Sequence, residues 1–402
     1  MKLLVADTFE SHGLDGLRQA GCDVIYEPKL EGDSLLDALA RIVPAILVVR
    51  STKVTAVMLS AAGELGLVVR AGAGVNTIDV PAASRRSIFV ANCPGKNAVA
   101  VAELTFGLIL ALDRRIVDNT VDLRRGQWNK KDYSQARGLK DRTLGVIGMG
   151  QIGIAVAVRA HAFKMKVVAW SRSLTKDSAT EAGVVRCESP AEVASKCDIL
   201  SIHLAAAPGT KGIINGAVLN QLAPGSYVIN TARSEVLDYD ALLTAAKERQ
   251  LRIGLDVYPN EPSASQGEFN TAIVKAGGVV YGTHHIGAST EQAQDAIAEE
   301  TVRIVEAYLR TGQVLNCVNL RSKARARACL RVRHLNRPGV LAHILHEVSH
   351  AGINVEEMGN VICQGDESAC AQILLEQPLD VDILSKIRTG NANVLGVTQS
   401  LL

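Results

Sequence analysis

Three short segments late in the chain carry side chains able to hold an anion and move a proton: Asn230-Thr231-Ala232-Arg233-Ser234-Glu235-Val236, Leu255-Asp256-Val257-Tyr258-Pro259-Asn260-Glu261-Pro262, and Gly282-Thr283-His284-His285-Ile286-Gly287-Ala288-Ser289-Thr290. An arginine offers a forked donor for a carboxylate. A histidine exchanges protons near neutral pH, and a carboxylate partner orients an imidazole and favours its charged form. Such a set suits acid-base chemistry on a bound anionic substrate. Each segment follows a β-rich run, and open α/β sheets bind ligands at the carboxyl ends of their strands, so one crevice can gather all three. Spacing alone does not bring them together.

A second pattern lies upstream. The run Leu144 to Ile147 leads into Gly148-Met149-Gly150-Gln151-Ile152-Gly153, and a helical pattern continues to Phe163. Gly148 suits a tight turn, Gly150 lets a pyrophosphate approach the backbone, and Gly153 permits close packing of helix on strand, with the helix N-terminus facing the anion. This is a dinucleotide site. The next strand should end in an acid that accepts hydrogen bonds from the adenosine ribose, yet Ser171-Arg172-Ser173 stands there. Without that charge a 2′-phosphate is not repelled and Arg172 can meet it, so NADP(H) is an expectation beside NAD(H).

The elements that position these residues are read from periodicity. Short β-rich runs (Leu3 to Ala6, Val24 to Tyr26, Ile46 to Val49, Val68 to Arg70, Ile88 to Ala91) alternate with helical patterns such as Ser11 to Ala20 and Ser34 to Ile42. That is the rhythm of βαβ units and a parallel sheet. Asn92 to Lys96 interrupts it, and a long helix is expected from Asn97 to Asp113. A second series begins at Leu144 and supplies strands near Val167 to Trp170, Asp198 to His203, Tyr227 to Asn230, Arg252 to Val257 and Val279 to Tyr281, enough for a complete doubly wound sheet. A helix over Ser289 to Thr311 can return the chain to the first sheet. The expected division is a discontinuous substrate-binding domain of residues 1–94 and 288–317, a nucleotide-binding domain of 95–287, a linker of 318–328 and a module of 329–402. In the last, strands and helices alternate as βαββαβ, a ferredoxin-like pattern. The fold class is α/β, two Rossmann-like parallel sheets plus this module.

Composition excludes several function classes. The chain has 402 residues with a net charge of +2, which leaves no global field for nucleic acid or anionic lipid, and only 3% aromatic residues to stack on bases. The most apolar stretch, Ala98 to Leu112, is too short to cross a bilayer and holds Glu103. Eight scattered cysteines with no C-x-x-C pair and no signal peptide fit buried thiols in a reducing cytoplasm.

Over residues 1 to about 317 the glycine motif and the three later segments, in order, resemble the D-isomer-specific 2-hydroxyacid dehydrogenases. The resemblance implies that Arg233 binds the substrate carboxylate and polarises the keto oxygen, that His285 exchanges the proton of the 2-hydroxyl, and that Glu261 pairs with His285. It places Thr231, Ala232, Asp256 and Gly287 with Gly148, Gly150, Gln151, Ile152, Gly153, Ser171 and Arg172 around the cofactor. Two departures stand out: Ser234-Glu235 where the family usually has Gly-Gly, and His284 where it has Pro. The second leaves His284 and His285 both open as the acid-base group, although Ile286 to Thr290 sets the register on His285. Within the family the substrate loops resemble those of the branch acting on 3-phospho-D-glycerate, at the start of serine formation. The loops in question hold Arg50, Ser51, Arg70 and Asn97, with Lys130 reaching a neighbouring subunit. Hydroxypyruvate and glyoxylate reductases of the same family are the alternative substrate class, and nucleotide-sensing corepressors the non-enzymatic one.

The tail resembles an ACT regulatory domain, through His334-Leu335-Asn336-Arg337-Pro338-Gly339-Val340-Leu341 and Gly352-Ile353-Asn354-Val355. This implies a homo-oligomer, a tetramer, whose modules bind L-serine through His334, Asn336 and Asn354. Two further signals are set aside. His346-Glu347-Val348-Ser349-His350 matches the H-E-x-x-H zinc pattern, with His343 on nearly the same face, but too little chain follows to build a catalytic domain around it, so a solvated helix face is expected and no catalytic metal, adventitious zinc binding being favoured over proteolysis. The basic run from Arg321 to Arg333 lacks interleaved aromatics and reads as a solvated linker and strand face.

Overall fold

In the computed structural model, which describes residues 1–262, 266–275, 278–321 and 325–402, the first five strands are β1 (Lys2–Val5), β2 (Asp23–Tyr26), β3 (Ile46–Val49), β4 (Leu67–Arg70) and β5 (Phe89–Asn92). They pair in parallel in the order β2-β1-β3-β4-β5. Parallel sheets are covered on both faces, and β3, reading Ile-Leu-Val-Val, is accordingly buried at every position.

The second sheet holds β6 (Thr143–Ile147), β7 (Lys166–Trp170), β8 (Val185–Arg186), β9 (Ile199–Ile202), β10 (Tyr227–Asn230), β11 (Arg252–Leu255) and β12 (Val280–Gly282). Its order, β8-β7-β6-β9-β10-β11-β12, is parallel throughout and reverses direction between β6 and β9. At such a switch point the loops on either side part and leave a crevice.

Two long helices carry the chain between the sheets. Ala98–Arg114 buries Ala102, Phe106, Ile109 and Leu112 against Val146 and Ile229 of the second sheet. Its C-terminal end is pinned by a buried ion pair, Asp113 to Arg142 at 3.3 Å, with Tyr227 donating to the same carboxylate. Glu291–Thr311 returns to the first sheet, where Ile297, Ala298, Ile304 and Val305 pack with Leu3, Val5 and Leu67. At the crossing, the buried Glu300 binds Lys96 at 3.2 Å and accepts from Asn316 at 2.7 Å, tying the outgoing segment to the returning one.

Strand β8 and the helices Ile116–Arg124 and Lys130–Tyr133 were not expected from the sequence. A two-residue strand has no period to read. The helix Ile116–Arg124 buries no residue, so it carries no core-facing stripe.

The chain separates into two compact units, Met1–Asn319 and Leu320–Leu402. Ser322, Lys323 and Ala324 of the expected linker lie outside the described residues. In the second unit β13 (Ala328–Leu335), β14 (Val355–Ile362), β15 (Ser368–Leu375) and β16 (Val394–Leu401) form an antiparallel sheet ordered β14-β15-β13-β16, with helices Val340–His350 and Val381–Thr389 between them. This is the ferredoxin-like arrangement, cored by Leu330, Val332, Ile344, Val348, Ile373 and Ile387.

All eight cysteines are free thiols. Five are buried, and burial pushes Cys197 up to about 12, which keeps it inert. Cys317 and Cys370 are half-buried, and Cys363 departs from the expectation altogether, being exposed just beyond the edge strand β14. Among the described residues no helix is long and apolar enough to cross a membrane.

Candidate active site

The dinucleotide turn follows β6 directly. Gly148 has φ +100°, and a Cβ there would lie 2.5 Å from the His203 carbonyl oxygen; one at Gly153 would meet the Gly148 carbonyl oxygen at 2.0 Å. Only glycine serves at either place. A Cβ at Gly150 would have nothing within 4 Å, so the space before the helix Gln151–Ala162 is open, and its N-terminus has no side-chain cap. Uncapped N–H groups facing open space suit a pyrophosphate. Gln151 folds back over Gly95 in the crossing segment and Ile152 is half-buried. Ser171 and Arg172 follow β7, Arg172 being exposed, with its guanidinium 3.9 Å from a Cβ built at Gly209.

The turn after β10 is braced from within. Asn230, fully buried, accepts from the Ala232 N–H at 3.0 Å and donates to the Arg233 carbonyl at 3.0 Å. Thr231 shares a hydroxyl hydrogen bond of 2.9 Å with Thr105 of the long helix. Arg233 is thereby presented at the strand end, half-buried, its guanidinium donating to the Ala232 carbonyl and lying 2.9 Å from a Cβ built at Gly74. Ser234 and Glu235 start a 3₁₀ turn, with Glu235 facing solvent.

The histidine loop is held from two sides. Glu261 bonds His285 Nδ1 at 2.7 Å through one oxygen and accepts from the Tyr258 N–H at 2.7 Å through the other. Burial pushes the Glu261 carboxyl up, but the His285 bond, the Tyr258 N–H and the charge of Arg233 outweigh it and hold it below the ordinary carboxylate value. Beneath the loop, Asp256 is 1% exposed, with Oδ1 accepting from Thr283 Oγ1 at 2.6 Å and the Ile286 N–H at 2.9 Å, and Oδ2 from the Gly287 N–H at 2.9 Å. His285 itself sits at φ +54°, a left-handed conformation that a histidine adopts at some cost. Of the two adjacent histidines it is His285 that reaches Glu261; His284 points to solvent.

Two further arginines, Arg50 and Arg233, lie near enough to Arg70 for their charges to act on it. Burial, then the positive charges of Arg233 and Arg50, lower Arg70 to about 10. Among the described residues none of the three has a carboxylate ion pair. Asp7, at the end of β1, is spent on backbone instead, accepting from the N–H groups of Arg50, Ser51 and Thr52 at 2.6, 3.2 and 3.1 Å. Arg50 also lines an open cavity of about 460 Å³ with Glu10, Thr290 and Gln294. Asn97 precedes the long helix without capping it, and among the described residues its buried Oδ1 has no partner. Lys130 stands apart, in an exposed helix beside Trp128 and Tyr133.

In the second unit His334 is buried, with ring nitrogens 2.8 Å from the Leu335 carbonyl and 3.1 Å from the Asn360 side chain. Asn336 donates to the Asp366 carbonyl at 3.0 Å. The three expected effector residues do not meet within one chain. The register puts Leu335 opposite Ser368 and Val355 opposite Leu375, so Asn354 lies at the far end of the sheet, roughly 20 Å away at ~3.3 Å per residue.

Sequence reasoning missed Asp7, Asn230 and Glu300. Asp7 follows a strand end, the same signal that singled out Arg233, and Asn230 closes β10 at the head of the Arg233 segment; nothing local marked Glu300.

Residues 106–287 match the D-isomer specific 2-hydroxyacid dehydrogenase NAD binding domain. Over 397 residues the chain is 31% identical to D-3-phosphoglycerate dehydrogenase of Methanocaldococcus jannaschii, covering 98% of this chain and 73% of that one. The Haemophilus influenzae protein of the same name is 33% identical, covering 88% of this chain and 87% of its own length. A crystal structure of NAD⁺-bound 3-phosphoglycerate dehydrogenase from Entamoeba histolytica superposes with a TM-score of 0.66 at 26% identity, covering 80% of this chain and 99% of that one. With the glycine turn on β6, the Arg233 turn on β10 and the His285–Glu261 pair all in one unit, the chain belongs to the D-isomer-specific 2-hydroxyacid dehydrogenases.

Proposed function

We propose that this chain is an NAD(H)-dependent D-3-phosphoglycerate dehydrogenase, oxidising 3-phospho-D-glycerate to 3-phosphohydroxypyruvate. The observation that carries the substrate is the group of Arg50, Arg70 and Arg233: Arg70 feels the positive charge of both others, and that repulsion outweighs the nearby Asp7 carboxylate. A half-buried guanidinium in that company favours a ligand with a carboxylate at one end and a phosphate at the other. A nicotinamide held here would supply the acceptor for the C2 hydride. Arg233 holds the carboxylate and draws charge toward the C2 oxygen. His285 takes the hydroxyl proton at Nε2, because Nδ1 is occupied by Glu261. Glu261 steadies the imidazolium that results, and Asp256 holds the loop that aims it. The glycine turn and the uncapped helix N-terminus receive the pyrophosphate. In this reading the substrate-binding body is 1–94 and 288–317 and the nucleotide-binding body 95–287, with a cytoplasmic location suiting the free thiols.

The test is absorbance at 340 nm with 3-phosphohydroxypyruvate against hydroxypyruvate and glyoxylate. A kcat/KM that favours the phosphorylated substrate supports the reading. A preference for hydroxypyruvate or glyoxylate makes the chain a reductase of the same family.

The second unit serves as an ACT module in this account, and L-serine as its effector. Because Asn336 and Asn354 lie at opposite ends of one sheet, a single serine can touch both only where the modules of two copies meet. A homo-oligomer, a tetramer, follows, and the exposed apolar side chains Ile116, Leu123 and Trp128 near Lys130 supply a second surface for it.

A further inference from the structure

The helix Val340–His350 carries His346 and His350 one turn apart on its exposed side, with ring centroids 4.1 Å apart. His350 Nδ1 lies 3.1 Å from the His346 carbonyl oxygen. A carbonyl only accepts, so Nδ1 carries the proton and the lone pair of Nε2 is left free. An imidazole that donates one N–H to a backbone carbonyl has its tautomer and orientation set for binding a metal through the other nitrogen. His343, a turn earlier, is drawn aside: its Nε2 lies 3.1 Å from the Ile387 carbonyl oxygen, and its ring sits over Gly390. Among the described residues no group of three or more His, Cys, Asp or Glu is placed to enclose a metal ion. What the helix offers is a two-nitrogen chelate at its surface, in a different compact unit from His284 and His285.

We propose that His346 and His350 form a surface site for a first-row divalent transition cation, bound through His350 Nε2 and an imidazole nitrogen of His346. Imidazole selects Cu²⁺, Ni²⁺ and Zn²⁺ over Mg²⁺ and Ca²⁺, which prefer oxygen, and Cu²⁺ binds tightest of the divalent series. Two protein ligands leave the remaining positions to water, so the ion exchanges freely and can accept a further ligand from outside the chain. The site needs neither the glutamate of the H-E-x-x-H pattern nor a third histidine, and it does no hydrolysis.

The test uses the full chain titrated with Cu²⁺ by calorimetry, with electron paramagnetic resonance of the bound ion. The variants are His346→Gln/His350→Gln together and His343→Gln alone, glutamine being a good helix former. The wild type is expected to take up a Cu²⁺ whose spectrum shows nitrogen ligation. The double variant should bind it about tenfold or more weakly, and His343→Gln should bind as the wild type does. A second equivalent held at His284 and His285 would appear in every variant and leave that difference intact. Equal Cu²⁺ affinity in wild type and double variant, or no uptake by the wild type at a molar excess of ion, overturns the proposal. Loss of binding in His343→Gln alone overturns the two-ligand assignment.

Discussion

The loops at the carboxyl ends of the second sheet and the ends of the four-stranded sheet use polar residues in opposite ways. In the first, partners are preassembled within one chain: Asn230 braces the Arg233 turn, Asp256 holds three donors of the histidine loop, and Glu261 is already on His285. In the second, Asn336 and Asn354 stand at opposite ends of the sheet. On the proposed reading, the contrast separates catalysis within one chain from an effector site shared between copies. Hydride transfer needs groups held in one geometry before substrate arrives, whereas a feedback signal is useful when its site exists only in the assembled enzyme.

The sharpest way to break the comparison is at His285. His285→Asn keeps a residue that tolerates the left-handed backbone, so the fold should survive by circular dichroism while turnover falls ~10²- to 10⁴-fold. Near-normal turnover would shift the acid-base role to His284 or elsewhere. Next is Asp256→Asn, which opposes a side-chain N–H to the backbone donors of the loop. A misaimed His285 should reduce kcat by up to about 10²-fold, with NADH affinity, read by fluorescence, little changed. If NADH affinity falls and kcat holds, Asp256 acts on the cofactor and not on the loop.

Smaller effects sharpen it. Ser171→Asp should move the ratio of NADH to NADPH use toward NADH by about fivefold, the ~1 kcal/mol scale of an exposed charge interaction. A wild type with no measurable NADPH activity would show that Arg172 plays no part at the cofactor. Glu261→Gln removes the carboxylate bonded to His285 Nδ1, so kcat should fall and the pH dependence of the rate should change. Glu261 has its own signature as well: its carboxyl is held low, so its stabilising contribution is present above the ordinary carboxylate value and lost as pH falls through the folded one. An unchanged pH–rate profile would remove the pair from the mechanism. The subtlest test mixes Asn336→Ala with Asn354→Ala. Each variant alone should bind no serine by calorimetry, yet subunit exchange restores one wild-type site in a mixed dimer. Binding in either variant alone, or none in the mixture, contradicts a site shared between copies.

Much of the fold was legible. Strands such as Ile46–Val49 and the helix Glu291–Thr311 announce themselves by apolar period, and the glycine turn by spacing. The helix Ile116–Arg124 was not legible, because a helix that buries nothing has no stripe to read. The site divides in the same way. Arg233, Glu261 and His285 were marked by residue type and by their place after strands, while Glu300 and the bracing roles of Asn230 and Asp256 were not. Their partners lie at unrelated places in the chain or are backbone N–H groups, which carry no sequence signature.

What the sequence by itself determined is the order of elements and the chemistry available at each strand end, since both are local properties of side chains and backbone. Only the tertiary structure decided which groups meet. Two neighbouring histidines are equivalent in sequence, yet β11 and β12 lie side by side and Asp256 seizes the backbone after His285, turning that imidazole and not His284 onto Glu261. The choice depends on hydrogen bonds across adjacent strands, and such bonds are set by register in space, which no local pattern encodes.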